Sequence, residues 1–157
     1  MLGRFRGTPW PNAAYDVVDA CVRGADAVDD MPALLELARL GATWYVGGER
    51  ILGAALYRAG RHRETIEAYE AASRLIPLRA DDLLFLALAH HALGQRSAAW
   101  ARLRDAEAWM EAANVVAPGD FSAGSAVWGD WYERIFSPQF HAEVRATLLS
   151  HAAPGGE

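Results

Sequence analysis

An all-α fold is the expectation for this chain, on three observations. Ala, Leu and Arg, all good helix formers, dominate its middle. No stretch alternates apolar and polar residues for long, so no strand is expected. Gly and Pro recur where apolar runs of helix length end.

The first helix is expected over 12–24, with Tyr15, Val18 and Val22 at spacings of three and four. Asp29 and Asp30 then precede "MPALLELARLG". An acidic cap followed by an early proline starts a helix, and Gly41 stops it. Further helices are expected over 48–59, ended by Gly60, and over 62–76, ended by Pro77. The next two cover 81–93, stopped by Gly94, and 96–113. Short connections between helices of similar length imply antiparallel neighbours. "NVVAPGDFSAGS" (114–125) is loop by composition. Beyond it, Trp128, Trp131, Tyr132, Ile135 and Phe136 lie on one helical face. Pro138 is expected to separate this helix from a second that carries Phe140, Val144 and Leu148.

Composition narrows the function. All 15 basic residues are Arg, and the net charge is −5. Acids and bases number six and four over 1–41, nine and nine over 42–113, and five and two over 114–157. No segment is basic, so neither nucleic acid nor an acidic membrane surface is an expected partner. Cys21 stands alone, which excludes a disulfide framework or a cysteine zinc cluster within one chain. "MLGRFRGTPWP" carries two arginines without an apolar stretch after them, and no apolar run is long enough to span a bilayer. The expected location is the cytoplasm.

The chain also repeats itself. "LGAALYRAGRHRETIEAYEAASRLIP" (52–77) aligns with "LALAHHALGQRSAAWARLRDAEAWME" (86–111) at an offset of 34 residues, 52 to 86. Leu52 pairs with Leu86, Gly53 with Ala87, Gly60 with Gly94, Tyr69 with Leu103 and Ala72 with Ala106. Small residues fall on small ones and large on large. Gly53 and Ala87 allow two helices to approach, and the two later glycines suit a turn.

A helix–turn–helix period of this length resembles the tetratricopeptide repeat family. Leu52–Gly53, Gly60, Tyr69, Ala72 and Pro77 stand where that pattern has Leu-Gly, Gly, a large aromatic, Ala and Pro. The departures are Glu49 and Leu83 at the early large position, Thr65 for alanine, and Glu111 for the closing proline. The resemblance implies one domain over 1–157 with repeats at 46–79 and 80–113. The resemblance is weaker over 12–45, a candidate eroded copy matched by Tyr15, Val18, Val22, Leu35 and Ala38 but not by Asp19, Asp26 or Thr43. "LGAALYRAG…LLFLALAHHALG" is also similar to terminal repeats of large bacterial multidomain proteins that join them to kinase or propeller domains. The implied architecture is a short superhelix of antiparallel helix hairpins, with 126–150 as a helical cap over its open end.

The implied function is protein or peptide binding on the concave face, without catalysis. Carrying the family's groove positions over gives Arg50, Ala54, Tyr57 and Arg58 from the first copy, and Asp81, Leu84, Leu88 and His91 from the second. Arg50 and Arg58 would hold carboxylates of a partner, and Tyr57, Leu84 and Leu88 would supply apolar contact. The carboxylate clamp of some members needs asparagine where this chain has Ala54, which argues against that ligand. The alternative is a structural or self-association module, a homodimer built through the aromatic C-terminal helix.

Chemistry finds little purchase. His90 and His91 are adjacent, so on a helix they point about 100° apart and cannot chelate together. His90 aligns with Leu56 and reads as a packing residue; His91 aligns with Tyr57. "HAE" (141–143) lacks the second half of a zinc-deaminase signature, and "FSAGSAVWG" is not a nucleophile elbow. "VGGERILG" follows no strand and lacks the phosphate-loop lysine. Glu64, Glu67 and Glu70 with nearby arginines read as a solvated face. A metal-dependent hydrolase using His90, His91 and His141 is the remote alternative; no metal or other cofactor is expected.

Overall fold

The computed structural model describes residues 9–24, 28–44, 46–112 and 128–150, with backbone alone over 128–137. Among them are seven α-helices and no strand: α1 (Pro11–Val22), α2 (Met31–Gly41), α3 (Glu49–Arg58), α4 (His62–Ser73), α5 (Ala80–Ala92), α6 (Arg96–Ala112) and α7 (Trp128–Ser150). The chain divides into two compact units, Met1–Leu78 and Arg79–Glu157. The division falls one residue before the junction of the two 34-residue copies.

In the first unit, α2 packs on α1, α3 on both, and α4 on α3. Asp30 caps α2 by accepting a hydrogen bond from the Ala33 amide at 3.1 Å. That satisfies one of the helix's unpaired N–H groups, so Asp30→Ala is expected to cost about 1 kcal/mol in a urea melt. Ala14 and Val18 of α1, Leu34 and Ala38 of α2, Ala55 and Leu56 of α3, and Thr65, Tyr69 and Ala72 of α4 are buried. Thr65 tolerates this place because its hydroxyl donates to the Arg61 carbonyl at 3.1 Å.

In the second unit, α5 and α6 form a hairpin and α7 lies along α5. Helix α5 is buried almost all round, from Asp82 to Ala89. Asp82 is buried with its carboxylate accepting from the Arg79 amide at 2.8 Å. Ala99, Leu103 and Ala106 of α6 complete the hairpin core.

The two hairpins close in the same way. Gly60 and Gly94 have φ of 72° and 73°. Their amides donate to the carbonyls of Tyr57 and His91, both at 2.9 Å. The next amides, of Arg61 and Gln95, donate to Leu56 and His90, again both at 2.9 Å. This is the Schellman ending of a helix, and its left-handed residue is cheapest as glycine. The α1–α2 connection differs: α1 ends at Val22, and α2 begins only at Met31.

Pro138 does not split the C-terminal region into two helices. It lies inside α7, which is one helix. A proline there forfeits its own N–H bond to the preceding turn. Burial of Val144 and Leu148 beyond it favours continuation. The side chains of Trp128, Trp131, Tyr132, Ile135 and Phe136 lie outside the described residues.

Candidate functional site

The expected groove residues fall on two helices, one in each unit. Arg50, Ala54, Tyr57 and Arg58 share a face of α3, and Asp81, Leu84, Leu88 and His91 share a face of α5. Arg50 and Tyr57 are partly exposed on the first, and Asp81 and His91 on the second.

Three of the eight are packing residues instead. Ala54, Leu84 and Leu88 are buried, so they do not offer open apolar contact. The reason is plain for α5, whose apolar residues surround the helix and leave no face that can be assigned to a ligand by periodicity.

Arg58 is also committed internally. Its Nε donates to the Val22 carbonyl at 2.6 Å, and its Nη2 to the Arg23 carbonyl at 3.3 Å. These are the last carbonyls of α1, which its short end leaves without helical partners. A cation there also complements the negative end of the helix dipole. Arg58 therefore fastens α1 to α3 rather than waiting for a partner's carboxylate.

Tyr57 sits beside this fastening. The Arg58 guanidinium carbon lies 5.8 Å from its ring centroid, within cation–π range. The His62 ring is tilted against it at 5.4 Å between centroids. His62 was not among the expected site residues. The signal was available: a Schellman turn at Gly60 brings the end of α3 back to the first residue of α4.

Burial pushes the Tyr57 phenol above its ordinary pKa, and the Arg58 charge pulls partly the other way. A raised folded-state value means that the neutral phenol favours the fold. This contribution is complete below the unfolded value of about 10 and is lost as pH rises through the folded one. Stability should therefore fall at alkaline pH, and Tyr57→Phe should flatten part of that fall. Denaturant melts at about pH 9 and 11 test it; parallel losses in both proteins would refute it. Burial likewise raises the Cys21 thiol.

The histidines are engaged separately. His90 Nδ1 pairs with Gln95 Oε1 at 2.6 Å, and His141 Nε2 with Glu107 Oε1 at 2.9 Å. Among the described residues no group of three or more His, Cys, Asp or Glu could hold a metal ion. No helix among them is long and apolar enough to cross a membrane. No family model, curated protein or solved structure matches this chain.

Proposed function

We propose that this chain is a protein- or peptide-binding scaffold of the tetratricopeptide kind, without chemistry of its own. The observation that carries the reading is the duplicated hairpin. Two Schellman turns with the same donors, acceptors and φ recur at the repeat offset of the sequence. The same places are buried in each copy: Thr65 and Ala99, Tyr69 and Leu103, Ala72 and Ala106. Repeats of this kind present side chains of their first helices to partners. In this reading the contact residues of the first unit are Arg50 and Tyr57 on α3, and those of the second unit are Asp81 and His91 on α5. The fold class by itself never fixes a function, so these residues are the test.

Arg and aromatic side chains dominate interface energetics, often at about 2 kcal/mol or more each. The double variant Arg50→Ala/Tyr57→Ala should lose the proteins that the wild-type chain retains from a lysate, with helicity unchanged by circular dichroism. An identical set of retained proteins would overturn the assignment.

A further inference from the structure

We infer that one end of the first unit is a docking surface for a second copy of this chain. Among the described residues five large apolar side chains are exposed, and four of them lie at this end: Trp10, Trp44, Val46 and Leu75, at 66%, 53%, 65% and 57% exposure. None of the four is a contact residue of the scaffold function.

The backbone brings them together. Helix α2 finishes where α1 starts, since a Cβ on Gly41 would stand 2.8 Å from the Tyr15 Cα. Trp10 lies one turn before, its carbonyl accepting from the Ala14 amide at 3.1 Å. Trp44 follows Gly41 and donates its amide to the Gly41 carbonyl at 3.0 Å. Gly47 then lies against the side chain of Ile76, the neighbour of Leu75 just beyond α4, and Gly48 against the Ala42 carbonyl.

The same packing keeps the large side chains outside. The connection from α2 to α3 buries its two glycines, with no room for a Cβ on either, and leaves Trp44 and Val46 in solvent. A connection fixed by its own backbone contacts cannot turn over to hide them. A surface held in place before contact also gives up little entropy on association.

Area and charge name the occupant. With roughly 250 Å² for a whole tryptophan side chain and about half that for valine or leucine, the four expose about 450 Å² of apolar surface. Each partner of a stable dimer hides about 800 Å², and in homodimers roughly 65% of it is apolar. The four side chains supply most of that apolar share, and the rim supplies the rest. The rim carries both signs: Glu36 and Arg39 in the last turns of α2, and Glu70 and Arg74 at the end of α4, all exposed. A strongly acidic or basic partner would be matched by a rim of one sign. In a twofold pairing a surface faces its own copy, and a mixed rim lets arginines of one copy face glutamates of the other.

Sedimentation equilibrium of the full chain tests this. Wild type should associate reversibly into a dimer with a dissociation constant in the micromolar range. Trp44→Ser/Val46→Ser should raise that constant about tenfold or more, with unchanged circular dichroism because both residues are exposed. A wild-type chain that stays monomeric at millimolar concentration overturns the proposal and leaves the surface to a different protein. A dimer of unchanged affinity in the variant overturns it too. The rim provides a second check that leaves the apolar residues alone. Arg39→Glu/Arg74→Glu and Glu36→Arg/Glu70→Arg should each dimerise more weakly than wild type, and an equimolar mixture of the two should recover the dimer at low salt. A mixture no better than either variant alone overturns the twofold pairing.

Discussion

Tyr69→Ala is expected to lower the stability of the first unit by about 3–5 kcal/mol, read as a shift in the urea midpoint at unchanged slope. Tyr69 is the largest fully buried side chain among the described residues, at 1% exposure. Its ring edge lies so close to α3 that a Cβ on Gly53 would stand 2.8 Å from Cε2. The cavity left by alanine has little way to collapse. The Gly60 turn fixes one end of the hairpin, and no side chain on Gly53 can lean into the gap. In the second copy Ala87 and Leu103, both buried, stand at the places of Gly53 and Tyr69. A midpoint within error of wild type would show that the hairpins do not rest on this pair.

Leu84→Ala is expected to cost about 2–5 kcal/mol, the range for deleting a fully buried leucine. Leu84 is 0% exposed. A residue lining an open groove would change stability by no more than about 0.5 kcal/mol. The variant thus distinguishes the packing role assigned by the structure from the ligand contact expected of its place in the repeat. Thermal melts that superimpose on wild type would return Leu84 to the surface.

The helix boundaries were legible because local chemistry sets them. Asp30 before an early proline marked the start of α2, and Gly60 and Gly94 marked the ends of α3 and α5 within a residue or two. The buried partners Tyr69 and Ala72 were legible from the repeat offset. The roles of Arg58, Leu84 and Leu88 were not. The contact of Arg58 is with a backbone carbonyl 36 residues away, and no spacing rule reports such a bond. Leu84 and Leu88 sit on a helix apolar on all sides, where periodicity loses its power to choose a face. Pro138 was read by its usual effect, and tertiary burial beyond it prevailed.

The Arg58 fastening has a consequence for the order of assembly. The contacts of the α3–α4 and α5–α6 hairpins join neighbouring segments, and such local structure forms quickly. The bond from Arg58 to Val22 closes a much longer loop, whose entropy must be met first. During synthesis α1 leaves the ribosome well ahead of Arg58, so its last carbonyls stay with water until the end of α3 arrives. Helix α1 is thus made before α3 but completed only with it, and a nascent chain that stops short of Arg58 lacks the guanidinium that covers the end of α1.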